Sequence, residues 1–241
     1  MSEHLTLYSA WYCPFAQRTW ATLEHLEIPY NYRETDPYHK SPEWMDISRG
    51  TGQVPVLEIT EDKGKPLRVP DSLRSMEFLD DLQNEGVELG ENGASRRADA
   101  RYWLDLQKTE IIPYFYRFLK ADRGSAEADH AREQMLDSLQ KLAKAMPSEG
   151  PYFAGHTPNV VDFAFAPFAL RIELILGHYK DFVLPTSGQE WTRYATWWAA
   201  MKTHPALLRT MPEYETYEAR LIEFYLPYSQ GGGQEDVTNL V

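Results

Sequence analysis

An α/β unit of roughly eighty residues followed by an all-α unit is the architecture this sequence predicts. Strand-like and helix-like stretches alternate up to residue 84. Residues 85–93 then hold three glycines and no apolar periodicity, and beyond them helical spacing recurs without a convincing strand. The expected boundaries are 1–84 for the first unit, 85–93 for a linker, 94–228 for the helical unit and 229–241 for a disordered tail that carries three consecutive glycines.

In chain order, residues 4–10 read as a strand, Leu5, Leu7 and Ser9 alternating with Thr6, Tyr8 and Ala10. Residues 17–27 repeat apolar side chains at helical spacing through Trp20, Leu23 and Leu26. A short aromatic strand at 30–33 leads into a polar run through Asp36, Pro37 and Lys40, and 42–48 form a short helix with Ser41 as its cap and Pro42 in its first turn. After Gly50-Thr51-Gly52, residues 54–59 form a strand that tolerates Pro55 at its start. The turn signal Asp62-Lys63-Gly64-Lys65 leads to a fourth strand at 66–69, and Asp71-Ser72 opens a helix to about Asn84. This β-α-β-α-β-β-α order is the one expected of a thioredoxin-like α/β unit.

The second half reads as helices. Residues 96–120 form a long aromatic one, bent or broken near Pro113, and 126–146 a second with Met135, Leu139 and Leu142 at helical spacing. A third runs over 159–176, where Asn159 caps the start and Asp162 returns a bond to the Asn159 amide; being apolar nearly all round, it belongs inside a bundle. Residues 189–202 and 214–226 complete the set.

Cys13 is the sole cysteine of 241 residues, and it falls where the first strand gives way to the first helix. Pro14 suits a first helical turn, whose unpaired amides favour thiolate over thiol; Arg18 is a nearby cation of unknown direction. Against a reactive role stands the reading of a small buried hydrophobe. A resolving cysteine three residues on is missing, since Ala16 holds that place, so a catalytic Cys13 needs an external thiol, for which glutathione is the abundant cellular candidate.

A 43% hydrophobic composition with seven Trp, fifteen Tyr and ten Phe is ample for a packed core. One cysteine excludes an internal disulfide framework and fits a reducing compartment, and the expected location is cytoplasmic. Neither a signal peptide nor a membrane span is visible in the sequence. The net charge of −12 argues against nucleic acid as a partner. The seven His show no metal spacing, and no Ser-His-Asp or phosphate-loop signature appears.

A strand followed by Cys13-Pro14-Phe15-Ala16-Gln17-Arg18, Val54-Pro55 before a strand, Asp71-Ser72 at a helix start and Asn159-x-x-Asp162 in a helical second half resemble a cytosolic glutathione transferase. The cysteine-containing first motif is similar to that of the omega and lambda classes. The resemblance implies glutathione as co-substrate and no metal. It implies a mixed disulfide at Cys13, a cis Pro55 with the Val54 backbone holding the cysteinyl part, and Asp71 and Ser72 on the γ-glutamyl end. Phe15 would flank the ligand. Lys40 would reach the glycyl carboxylate, although Ser41 stands at the family's usual lysine position, and Asp71 is shorter than the family's usual Glu. A second-substrate cleft would be lined by Tyr114, Phe115, Arg171 and Trp197, with Phe224 a weaker candidate. The plain alternatives are an edge-strand proline, a helix cap at Asp71-Ser72, core aromatics, and a surface arginine at 171.

The implied activity is that of a glutathione-dependent thiol transferase or deglutathionylase acting on a small hydrophobic or glutathionylated substrate. Dehydroascorbate reduction at the same site and a non-catalytic ligand-carrying or interaction protein are the alternatives. The family resemblance leaves a homodimer open.

Overall fold

The computed structural model describes residues 4–60, 64–84, 93–211, 213–233 and 236. The turn signal at 62–63, the linker positions 85–92 and the tail positions 234–235 and 237–241 lie outside the described residues. The chain divides into two units, one of residues 1–90 with 205–212 and one of 91–204 with 213–241.

The first unit follows the expected order: β1 (Leu5–Ser9), α1 (Pro14–His25), β2 (Asn31–Glu34), α2 (Pro42–Ile47), β3 (Val56–Ile59), β4 (Leu67–Pro70) and α3 (Ser72–Asn84). The sheet order is β2-β1-β3-β4, with β1 parallel to β2 and the other pairs antiparallel. Successive side chains of a strand face opposite ways, and β1 uses both faces. Leu5 and Leu7 pack with Leu57, Trp20 and Leu23 of α1 and Leu79 of α3, whereas the Tyr8 ring lies 5.9 Å from that of Trp44 in α2. Leu7, Leu23 and Leu57 are wholly buried, each contributing about 1.5–3 kcal/mol of transfer free energy.

The second unit is helical: α4 (Gly93–Leu106), α5 (Ile112–Lys120), α6 (Ala126–Ala145), α7 (Val160–Arg171), α8 (Gly177–Lys180), α9 (Gln189–Lys202) and, after α10 (Pro205–Leu208) of the first unit, α11 (Tyr214–Ser229). The break expected near Pro113 is a π-helical turn, Gln107–Ile111, between α4 and α5. Proline donates no N–H to the preceding turn, so a widened turn there gives up little. A second π-helical turn, Ile172–Leu176, joins α7 to α8.

α7 is buried on every side, as its composition predicts. Its capping box forms: Asn159 Oδ1 accepts from Val161 N at 2.9 Å and Asp162 Oδ2 from Asn159 N at 2.8 Å. The other Asp162 oxygen accepts from Phe153 N at 2.8 Å and from Trp197 Nε1 at 2.7 Å, tying α9 and the loop before α7 to one carboxylate. Burial pushes that carboxyl's pKa up while the three bonds pull it down.

The sequence reading did not anticipate α10. It packs on α1, where Gln17 Nε2 donates to Thr210 Oγ1 at 2.9 Å and Arg209 Nε to Glu24 Oε2 at 2.5 Å. These partners lie 193 and 185 residues apart, a distance over which local periodicity carries no information.

Candidate active site

Strand register brings the motif residues of the first unit to one end of the sheet. Tyr8 pairs with Val56, and Val56 with Pro70, so the exit of β1, the entry of β3 and the exit of β4 lie side by side. β2 runs parallel to β1, with Glu34 opposite Ser9, and leaves at the same end. The segments attached to these four ends carry Cys13, Lys40, Val54-Pro55 and Asp71-Ser72.

Cys13 is the N-cap of α1, in extended conformation, with Pro14 in the first turn. Its Sγ accepts from Ala16 N at 3.5 Å, and the first turn carries no acidic side chain. The thiol is free of any disulfide and half-buried. A helix N-terminus presents unpaired N–H groups and the positive end of the backbone dipoles; a sulfur held there meets partial positive charge.

Asp71 and Ser72 open α3, and the capping reading of this pair holds locally. Asp71 Oδ1 accepts from Leu73 N at 3.0 Å and Arg74 N at 3.2 Å, while Oδ2 is 3.3 Å from Arg74 Nη1. Asp71 has φ +81°, a region that short polar side chains tolerate better than most. Its carboxylate is exposed, whereas Ser72 is buried. The Ser72 hydroxyl lies 3.5 Å from Arg18 Nη1, and the Thr19 hydroxyl donates to Ser72 O at 3.5 Å.

The direction of Arg18 is thereby settled: a buried guanidinium, 5.2 Å from the centroid of the Phe15 ring, is aimed at the start of α3. Phe15 itself is half-buried. Phe15 and Arg18 share a helix face by their spacing of three, a signal present in the sequence; the Ser72 contact is tertiary.

The Val54-Pro55 peptide bond is cis, and both residues are buried. Among the described residues the Val54 N–H and C=O take no hydrogen bond. Lys40 reaches toward this loop, its Nζ donating to Gly52 O at 2.6 Å. Gly52 has φ +60°, and a Cβ there would come within 2.6 Å of that Nζ, so Gly52 serves both the turn and the lysine. Ser41 caps α2 by accepting from Trp44 N at 3.1 Å.

The residues expected in a second-substrate site behave differently. Tyr114 is half-buried, with the Arg117 guanidinium 5.1 Å from its ring centroid. Phe115, Arg171 and Trp197 are enclosed within the helical unit instead of lining an open surface. Arg171 is buried rather than on a helix surface, and donates through Nη1 to Pro167 O at 2.7 Å and through Nε to Tyr225 Oη at 3.1 Å. Trp197 is held by Asp162 and stacks on Phe165 at 5.3 Å. Phe115 packs edge-on to Phe168 and Tyr225, and Phe224 is also buried. An arginine at a helix end or a tryptophan on an amphipathic helix reads as surface or boundary from sequence; here aromatic packing admits both to the core, with the Pro167 carbonyl as acceptor for Arg171 and the Asp162 carboxylate for Trp197.

A model of the glutathione S-transferase N-terminal domain matches residues 12–82. The crystal structure of glutathione transferase Omega 3C from Trametes versicolor is 32% identical, with a TM-score of 0.73 and 91% of each chain covered. The chain belongs to the glutathione S-transferase family. Among other relatives, the probable glutathione S-transferase DHAR4 of Arabidopsis thaliana is 30% identical over 179 residues, 73% of this chain and 74% of the relative. Mouse glutathione S-transferase omega-1 is 25% identical over 217 residues, 90% of this chain and 84% of the relative. The span 12–82 of this glutathione S-transferase takes in Cys13, Lys40, Val54-Pro55 and Asp71-Ser72. Among its described residues no group of His, Cys, Asp and Glu could hold a metal ion, and no helix is long and apolar enough to cross a membrane.

Proposed function

We propose that this glutathione S-transferase is a glutathione-dependent thiol transferase with Cys13 as nucleophile. The observation that carries the reading is that the sole cysteine caps α1 through its sulfur, at the sheet end where the other three motif segments emerge. Fixed N–H dipoles beside the sulfur favour the anionic form, which is the nucleophile.

In the first step the Cys13 thiolate attacks a mixed disulfide between glutathione and a substrate thiol. A Cys13–glutathione disulfide forms, the original S–S bond breaks, and the substrate leaves as a thiolate that takes a proton from solvent. In the second step a glutathione thiolate attacks this disulfide, regenerating the Cys13 thiolate and releasing glutathione disulfide. The sulfur of the incoming glutathione is oxidised and the substrate sulfur is reduced, while the glutathione that arrives bound to substrate stays at the disulfide level, so no other oxidant or reductant is needed. The absence of a second cysteine from the sequence is what makes glutathione the resolving thiol.

In this reading the Val54 main-chain groups take the cysteinyl portion, and Asp71 takes the γ-glutamyl ammonium. The Ser72 amide and hydroxyl, with the Arg18 cation behind them, take its carboxylate. Lys40, whose side chain reaches the Val54-Pro55 loop from the segment before α2, would meet the glycyl carboxylate after leaving Gly52 O. The substrate is a small glutathionylated or apolar molecule, and of the four residues expected to meet it Tyr114 is the one with an accessible ring. The reductant implies a reducing compartment such as the cytoplasm.

The test is intact mass after incubation with glutathione disulfide. One glutathione adduct is expected, removable by excess glutathione and missing from Cys13→Ser. A wild-type protein that takes no adduct, or a Cys13→Ser variant that retains thiol transfer, would overturn the assignment.

A further inference from the structure

The segment that carries α10 holds α1 at both ends, a contact with no place in the chemistry above. At the last turn of α1, Arg209 donates through Nε to Glu24 Oε2 at 2.5 Å and through Nη2 to the Glu24 carbonyl at 2.8 Å. Glu24 also accepts from Tyr30 Oη at 2.5 Å, and that hydroxyl accepts from Trp20 Nε1 at 2.5 Å. Leu207 and Thr210 are wholly buried, and Ala206 nearly so. The α10 segment is thus a fixed abutment for α1. Two turns earlier, about 10 Å along the helix, Gln17 meets the same segment. Its Nε2 donates to Thr210 Oγ1 at 2.9 Å, and the Thr210 hydroxyl donates on to Leu207 O at 2.6 Å. Gln17 is 1% exposed, and a buried amide gives up such a bond only at a desolvation cost.

Gln17 belongs to the turn that Cys13 caps. Its own N–H closes the first helical bond, to Cys13 O at 3.0 Å. Pro14 has no N–H, and the amide on the sulfur is that of Ala16, at 3.5 Å. That contact depends on the tilt of a single turn. The turn is held from two sides, by Gln17 on Thr210 and by Arg18, whose Nη1 lies 3.5 Å from Ser72 Oγ. Stabilisation of an anion by helix-end amides falls off within the first turn, so a turn that tilts away from the sulfur loses it.

We propose that Gln17 and Thr210 are positioning residues for the Cys13 thiolate: their buried hydrogen bond fixes the first turn of α1 and keeps the Ala16 amide on the sulfur. The inference rests on Cys13 being the nucleophile. It adds a point of control 193 residues from Gln17 in the chain, acting through α1 and not on the reacting sulfur itself.

The test is the pH dependence of Cys13 alkylation by iodoacetamide in the reduced full chain, with urea unfolding alongside. Wild type should titrate below the ordinary thiol value of about 8.5. Gln17→Leu and Thr210→Val remove the same bond from its two sides, and each should raise that midpoint by about 0.5–1 unit. Well below the midpoints alkylation should slow about two- to fourfold, the loss of thiolate being partly offset by a more basic sulfur. Thr210→Ser keeps the hydroxyl and should keep the wild-type midpoint. Valine matches threonine in shape, so the comparison at position 210 stands even where Gln17→Leu fails to fold. Arg209→Gln, at an exposed position, loosens the other end of the contact; it should lower the urea midpoint and leave the Cys13 titration unchanged. A depressed wild-type midpoint that stays in place in Thr210→Val, or that moves equally in Thr210→Ser or Arg209→Gln, would overturn the positioning role and leave the nucleophile standing. A wild-type midpoint of about 8.5 would overturn both.

Discussion

Replacing Cys13 by serine should stabilise the protein while abolishing thiol transfer. Cys13 caps α1 through a long sulfur contact, 3.5 Å from Ala16 N. Two serines show what an oxygen does in the same place: Ser41 and Ser125 each accept from the amide three residues on at 3.1 Å. Serine is among the preferred N-caps, and losing such a cap to alanine costs about 0.5–2 kcal/mol. A thiol is a weak acceptor, so the exchange should recover part of that range, about 0.5–1 kcal/mol. For a chain of this size 1 kcal/mol moves the midpoint by about 2–4 °C, which puts the expected rise at about 1–4 °C. Thermal unfolding of reduced protein reads the first effect, and glutathione-coupled reduction of a small mixed disulfide reads the second. A lowered midpoint would refute the capping argument; retained turnover would refute the catalytic one.

Three further outcomes follow from the geometry. Asp162→Ala leaves three donors without their acceptor; offset by relief of the carboxylate's burial, the net loss should be about 3–5 kcal/mol in urea unfolding. A loss below about 1 kcal/mol would show that the carboxylate does not organise α7 and α9. At Asp71, asparagine should keep both the cap and the positive φ, whereas Asp71→Ala should cost about 1–2 kcal/mol. If Asp71 also takes the γ-glutamyl ammonium, both variants should raise the glutathione KM, and an unchanged KM would leave it a cap alone. His25 is half-buried, and burial lowers its pKa, with Glu27 opposing. Its folded value therefore lies below the unfolded value of about 6.5, so the unfolded chain binds more protons in that window. Its contribution is present above about pH 6.5 and lost as pH falls through the folded value; His25→Gln should flatten the dependence of the urea midpoint on pH between about pH 7 and 5, and an unchanged slope would contradict this.

Much of the secondary structure is legible locally because its signals are local. Alternation in β1, the apolar stripe of α1, the Ser41-Pro42 start of α2 and the Asn159-x-x-Asp162 box each depend on neighbours within a turn or a strand, and each forms. Arg171 and Trp197 are buried, which the reading did not foresee. Nothing within a helical turn distinguishes an arginine on a cleft wall from one enclosed with Tyr225 and the Pro167 carbonyl, because the enclosing groups include one 54 residues away.

The sequence by itself determined that there is one thiol, that it stands at a helix start, and that no second cysteine can resolve its disulfide. Those statements follow from composition and from short-range periodicity. Only the tertiary structure decided which way Arg18 points, that Lys40 lies over Gly52, and that α10 returns to α1. It also decided that the motif segments share one end of the sheet, since this rests on the register of Tyr8, Val56 and Pro70. Register is a long-range choice, made when whole strand faces are buried together, and a one-residue slip would turn every side chain of β3 to the other face.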